Sequence, residues 1–281
     1  MNIPDDFTDS FLVPPNTKVD LKDRPTRVEG PFEDKEAGKA YLAERLVRMR
    51  ELQYRLFVER KQSLLIVLQA PDAAGKDGLI RKVLGQMNPQ GVSTHPFKVP
   101  TELEASHDFL WRVHRETPAA GKIAIFNRSH YEDVLVVRVE DLVPKSLWSR
   151  RYEHINAFES LLADQNTRIL KFYLHISPEE QLERFGERLH RPEKHWKLNA
   201  GDYRARRKWS QYRSAYEDAM HRCSPDHAPW YVIPADRKWF RNAAVANIVC
   251  QTLESMDPQF PPVDADLDEI QQLYDEETRR D

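Results

Sequence analysis

Seven residues, Asp72-Ala73-Ala74-Gly75-Lys76-Asp77-Gly78, hold the densest chemistry in this chain. An unbroken apolar run, Leu64-Leu65-Ile66-Val67-Leu68, precedes them and reads as a buried strand, and helical spacing begins at Lys76. A small-residue turn between strand and helix aims several backbone N–H groups and one ammonium at a single spot, which suits a phosphate. The run approaches the pattern G-x-x-x-x-G-K-[ST] with two departures. Ala70 replaces the first glycine and is still small enough for close backbone approach. Asp77 replaces the hydroxyl residue that ordinarily holds Mg2+. Asp72 would repel a bare phosphate, but a cation between them reverses the sign, so Asp72 is read as a metal ligand. The bland alternative is a strand–turn–helix with an incidental lysine. It leaves unexplained why strand, small-residue turn and Gly75-Lys76 fall in this order.

Two further clusters surround this loop in the reading. The segment Asn127-Arg128-Ser129-His130-Tyr131-Glu132-Asp133 follows a second apolar run at 122–126. Arg128 is a candidate clamp on phosphate oxygens, or else the i,i+4 partner of Glu132. Asp133 is a candidate metal carboxylate, or else an exposed helix carboxylate. His130 and Tyr131 read as packing and orienting groups. Residues 184–213 hold ten Lys or Arg against three Asp or Glu, a polyanion-attracting stretch or else a solvated helix face. Phe97 and Pro100 are candidate walls of a purine pocket.

The elements that must position these groups alternate. Strands are expected at 63–69, 91–96, 122–126, 168–176 and 229–234. Helices are expected at 36–60, 76–87, 102–115, 146–165, 181–190, 202–220 and 239–254. This order predicts an α/β fold, a parallel five-stranded sheet with helices on both faces. Ligands of such sheets lie at the carboxyl ends of the strands, where the 70–78 and 127–133 segments share one cleft. Residues 1–35 read as an extended arm, 36–256 as the catalytic domain, and 257–281 as an acidic tail; residues 252–281 hold ten Asp or Glu against two Lys or Arg.

The bulk numbers agree with one large domain. Of 281 residues, 40% are hydrophobic, enough for a sizeable core, and the formal net charge is −3. Two cysteines without metal spacing suit a reduced, cytoplasmic setting. Residues 1–10 lack the apolar stretch of a secretory signal, and no run approaches a membrane span.

Four separated motifs resemble the polyphosphate kinase 2 family: residues 72–78; Phe126 through Val134; Arg184 through Lys197; and Ala228-Pro229-Trp230-Tyr231-Val232-Ile233-Pro234-Ala235. They span roughly residues 36–256. The Asn127-Arg128-Ser129 form is similar to class III members, which phosphorylate nucleoside mono- and diphosphates from polyphosphate. The resemblance implies a P-loop kinase fold with a helical lid at about 178–220. It implies Mg2+ (or Mn2+) held by Asp72 and Asp133, and catalysis by Asp72, Lys76, Arg128, Asp133 and Arg188. Ala73, Ala74, Gly75, Lys76, Asp77 and Gly78 are then the phosphate cradle. Arg188 is the preferred lid clamp and Arg184 the second. Arg184, Arg191, Lys194, Lys197, Arg204, Arg207 and Lys208 would line a polyphosphate path, and Phe97, Pro100 and Asn127 a nucleotide site. Adenine is the expected base, with guanine left open. The partners are polyphosphate and nucleotide, with neither nucleic acid nor membrane, and a homo-oligomer (dimer or tetramer) is implied.

Transfer between two phosphates brings polyanions together, so positioning and charge neutralisation dominate, and a general base is scarcely needed. Two other readings remain at this point: an ATP-dependent nucleoside monophosphate kinase on the same fold, and a basic-patch nucleic-acid-binding protein.

Overall fold

The structure is a computed structural model and describes residues 4–28 and 30–280, with Asp5 described by its backbone alone. Residues 1–3, 29 and 281, which belong to the expected arm and tail, lie outside the described residues.

Six strands form one sheet: β1 (Leu12–Val13), β2 (Ser63–Gln69), β3 (Val92–Pro96), β4 (Ile123–Asn127), β5 (Thr167–His175) and β6 (Trp230–Pro234). Their order is β1-β6-β5-β2-β4-β3. All neighbours run parallel except β1, which lies antiparallel to β6. The five expected strands are present. The sixth, β1, comes from the stretch read as an extended arm. That arm is also packed into the body, with Phe11, Val13, Leu21 and Phe32 buried. A two-residue strand beside Pro14-Pro15 offers no periodicity to read.

The first helices in chain order are α1 (Lys35–Glu59), α2 (Lys76–Lys82), α3 (Glu102–Ala105) and α4 (Trp111–His114). Next come α5 (Val136–Val139), α6 (Lys145–Trp148), α7 (Arg151–Asp164) and α8 (Pro178–His190). The remainder are α9 (Ala200–Arg207), α10 (Trp209–Arg222), α11 (Lys238–Met256) and α12 (Leu267–Thr278).

Strand β2 is the sheet's centre because every one of its residues is buried. Its side chains alternate between two cores. Leu64, Ile66 and Leu68 join the layer containing α1 and α11, and Leu65 and Val67 join the layer containing α7 and α10. Helix α1 starts where Asp34 accepts from Ala37 N and stops at Arg60 in the left-handed region. It packs along α11, whose Ala243, Ala244, Val245, Ala246, Ile248 and Val249 are all buried.

The helix expected over 102–115 is two short helices. Ser106 Oγ turns back onto Leu103 O, and Asp108 Oδ1 accepts from Leu110 N, so the intervening residues satisfy the backbone locally. The acidic tail contains α12, whose residues are all exposed.

Candidate active site

The phosphate loop leaves β2 at Ala70 and enters α2 at Lys76. Gly75 holds φ +103° and Ala73 φ +63°, two left-handed residues that fold the backbone into a cradle. Ala70 is buried, as its small side chain allows, and its carbonyl accepts from Lys76 Nζ at 3.1 Å. Burial lowers the Lys76 pKa to about 8. Arg128 pushes in the same direction, and Asp72, Glu132 and Asp77 oppose it.

Strand β4 ends beside the loop. Arg128 N donates to Leu68 O at 3.0 Å, and Arg128 itself sits at φ +62°. Its guanidinium thereby turns to the phosphate loop, where Nη2 donates to Asp72 Oδ1 at 2.7 Å and Nη1 to Glu132 Oε2 at 3.3 Å. Of the two sequence readings of Arg128, the pairing with Glu132 is present, and the same guanidinium also lines the phosphate cleft. These two carboxylates hold its pKa above the ordinary arginine value.

Two cavities meet at the Asp72–Arg128 pair. The phosphate cleft is lined by the loop residues Asp72, Ala73, Gly75, Lys76, Asp77 and Gly78, together with Phe97 and Asn127 from the β3 and β4 ends and Arg188 and Lys197 from the lid. The second cavity is largely aromatic, walled by Tyr173, Trp209, Tyr212 and Tyr216, with Glu132, His175 and Arg206 among its polar groups.

The lid crosses the cleft through α8, a 3₁₀ segment Pro192–Lys197, and α9. Arg188 Nη1 donates to Asp202 Oδ2 at 2.9 Å, which aims the guanidinium inward from α8. Lys197 Nζ donates to Asp77 Oδ2 at 3.3 Å, and Asn127 Nδ2 to Asp77 Oδ1 at 3.1 Å. Asp77, standing where a hydroxyl residue was expected, therefore ties the lid and β4 to the first turn of α2.

Most of the expected residues are gathered here, and several are not. Asp133 lines neither cavity. Arg151 Nη1 donates to its Oδ1 at 2.9 Å, and burial raises its pKa to about 6 against the pull of Arg151. The carboxylate facing the site from this segment is Glu132, one residue earlier. Residues 130–133 form a 3₁₀ turn, in which successive side chains point about 120° apart. Arg184 is buried beneath the loop, with Nη1 bonded to Ala73 O and Ala74 O and Nη2 to Ala235 O and Asp236 O. It shapes the cradle from below and does not reach the cleft. Ala74 is fully buried and gives its carbonyl to this brace, not to the cleft. Pro100 is exposed and lines neither cavity.

The lid cations are largely neutralised within the fold. Lys194 pairs with Glu187 at 2.9 Å and Lys208 with Glu140 at 2.6 Å. Arg191, Arg204 and Arg207 are exposed and lie outside the cleft.

Sequence reasoning passed over Lys98, which lines the cleft, and Arg241, which is buried behind the loop. Neither lies at a spacing that connects it to residues 70–78.

Among the described residues, no three His, Cys, Asp or Glu side chains form a metal-holding group. Asp72, open to the cleft, fits the pattern of Mg2+, which takes one or two carboxylates and completes its shell from phosphates and water.

These features define a class: an α/β phosphotransferase fold with a phosphate loop after the central parallel strand and a helical lid. The particular family follows from comparison. The family description "Polyphosphate kinase 2 (PPK2)" matches residues 32–261, and this chain belongs to that family. It is 49% identical over 252 residues to the AMP/ADP-polyphosphate phosphotransferase of Meiothermus ruber, covering 89% of this chain and 94% of that one. It is 41% identical to the ADP-polyphosphate phosphotransferase of Rhodopseudomonas palustris, covering 90% and 92%. The crystal structure of polyphosphate kinase 2 from Arthrobacter aurescens TC1 superposes with a TM-score of 0.92 at 40% identity, covering 95% of this chain and 96% of that one. Among the described residues, no helix is long and apolar enough to cross a membrane.

Proposed function

We propose that this chain transfers the terminal phosphoryl group between inorganic polyphosphate and AMP or ADP. The observation that carries the reading is the phosphate cleft itself, where Lys76, Arg128, Arg188 and Lys197 converge on one space beside the open carboxylate of Asp72. The two relatives named above, matched over nearly their whole length, act on the same substrate classes by name.

In the synthetic direction, a terminal phosphate oxygen of the nucleotide forms a bond to the end phosphorus of the chain. The P–O anhydride bond behind that phosphorus breaks, and the shortened chain leaves with the electron pair. The nucleotide oxygen is already ionised near neutral pH, and among the described residues no histidine lines the cleft. The protein's work is therefore alignment and charge neutralisation. Lys76 and the loop N–H groups hold the moving group, and Arg128 and Arg188 bear on it from the end of β4 and from the lid. Two cavities that share the Asp72–Arg128 wall suit two substrates meeting in line. Mg2+ (or Mn2+) held by Asp72 would supply further neutralisation of phosphate charge.

The reading includes adenine as the base, a cytoplasmic setting and a homo-oligomer. It sets aside nucleic-acid binding, because most cations of the basic stretch already have partners within the fold. The test is ATP formation from ADP, and ADP formation from AMP, with long-chain polyphosphate and Mg2+ as the only other reagents. Product that appears only when ATP is the donor would establish the nucleoside monophosphate kinase instead.

A further inference from the structure

Behind the phosphate loop stands an arginine without a carboxylate. Arg241, near the start of α11, is 2% exposed. Its Nη1 donates to Ala74 O at 3.0 Å, and its Nε and Nη2 donate to Asn242 Oδ1 at 3.2 and 2.7 Å. Among the described residues it makes no ion pair. Its neighbour Arg184 shares the Ala74 carbonyl but has Glu180 at 2.8 Å. The two guanidinium groups thus press on the same peptide, one compensated and one not.

The loop is built around this contact. A Cβ placed on Gly75 would fall 2.2 Å from Arg241 Nη1, and one on Gly78 would fall 3.8 Å from Nη2. Gly75 therefore does two things: it takes a left-handed φ, and it lets a cation lie flat against the cradle's inner side. Gly75 and Gly78 also line the phosphate cleft on the outer side. Only the thickness of the loop backbone separates Arg241 from this cleft.

A buried charge without a counter-charge destabilises a free fold, and well-packed apolar residues commonly do better at such positions. Burial and the like charge of Arg184 push the Arg241 pKa down to about 9, so the cation is under strain where it stands. Among the described residues its hydrogen-bond acceptors, Ala74 O and Asn242 Oδ1, are neutral, so no counter-charge offsets the cost there.

We propose that Arg241 is a positioning residue for the phosphate loop, its charge left open so that a polyanion bound on the loop's other face completes it. It fixes the Ala74 peptide and adds to the field felt by the bound phosphates without touching them. The inference rests on the reading that this loop carries a phosphate chain. A field that acts alike on bound substrate and transition state changes KM and leaves kcat nearly unchanged.

Inorganic tripolyphosphate is the probe, with binding followed by calorimetry and by the rise it causes in the thermal unfolding midpoint of the full chain. Arg241→Gln keeps a donor for Ala74 O and removes the charge. It is expected to weaken tripolyphosphate binding about 10-fold, shrink the ligand-induced rise, and raise KM for polyphosphate in proportion, with kcat within about 3-fold. Arg241→Lys keeps the charge and is expected to bind within about 3-fold of the unsubstituted protein. A merely structural arginine would give a Gln variant with a lower midpoint but unchanged tripolyphosphate affinity, and that result overturns the proposal. If the Gln variant does not fold, a Lys variant that folds yet loses 10-fold or more in affinity overturns it equally. Failure of the unsubstituted protein to bind tripolyphosphate would instead remove the phosphate-chain reading itself.

Discussion

Asp72 Oδ1 and Arg128 Nη2 meet at 2.7 Å, and this pair is the wall common to the phosphate cleft and the aromatic cavity. A cation and a carboxylate so placed can each be drawn to a substrate: the guanidinium to phosphate oxygens, the carboxylate to a metal that travels with them. Arg128→Ala is expected to lower kcat by about 100-fold or more, the size of effect seen when one preorganised donor is lost at a transition state. Arg128→Lys should recover only part of this, because a point charge lacks the fork that spans Asp72 and Glu132. Steady-state rates with polyphosphate and ADP decide it.

Glu132 and Asp133 are neighbours in sequence with opposite surroundings. Glu132 bonds Arg128 and lines the aromatic cavity, and Asp133 is tied to Arg151. Glu132→Gln should therefore reduce turnover by about 10-fold or more through a loosened Arg128. Asp133→Asn should leave turnover within a few-fold and act mainly on stability. Parallel kinetics and thermal melts of the two variants check this. The reverse pattern would restore Asp133 as the second metal carboxylate.

Lys76 sets an alkaline limit. With its pKa lowered to about 8, it carries its charge below that pH and loses it above. The profile of kcat/KM for polyphosphate reports the free enzyme and should fall through a midpoint near pH 8. Bound phosphate favours the charged ammonium, so the same limb in kcat should lie at higher pH. Two limbs at one pH would show that Lys76 does not face the bound chain.

The exposed face of the lid is expected to matter more for long chains than for short ones. Arg204 and Arg207 are exposed on α9 outside the cleft, where only a chain longer than the cleft can reach them. Replacing both by alanine should raise KM several-fold for long polyphosphate and leave tripolyphosphate unaffected. Equal effects on both would make the α9 face a solvated surface.

The 127–133 segment rests on a buried cluster. Lys171 Nζ donates to Glu159 Oε2, to Tyr131 OH at 2.9 Å and to Cys223 O at 2.8 Å, while His130 and Tyr131 meet Glu159 Oε1. Lys171 and Glu159 are wholly buried. Lys171→Met strands the carboxylate and should cost about 3–5 kcal/mol of stability. Adding Glu159→Gln should return much of it, as denaturant melts of the two variants would show.

Much of this was legible in the residues. Ser63–Gln69 was placed to the residue because a continuous apolar run closed by a small-residue turn has few other solutions. Lys76, Arg128 and Arg188 converge as read, since each lies at a strand end or on the lid beside the loop. Asp133, read as a metal carboxylate, lines neither cavity because a 3₁₀ turn sends adjacent side chains in different directions, with Glu132 at the aromatic cavity and Asp133 against Arg151, and composition cannot say which goes where. Arg184 reads as the second lid clamp because helical spacing does not reveal that its face of α8 packs beneath the loop. Arg241 comes 165 residues after Lys76 in chain order, and only the closing of β6 beside β5 brings it underneath.

The most direct measurement of the central claim uses the purified protein with Mg2+, long-chain polyphosphate and ADP, beside its Lys76→Ala variant. The account expects ATP from the first, shortened chains to match, and a loss of about 100-fold or more from the second with its fold intact. No ATP from the unsubstituted protein, or equal ATP from both, would contradict it.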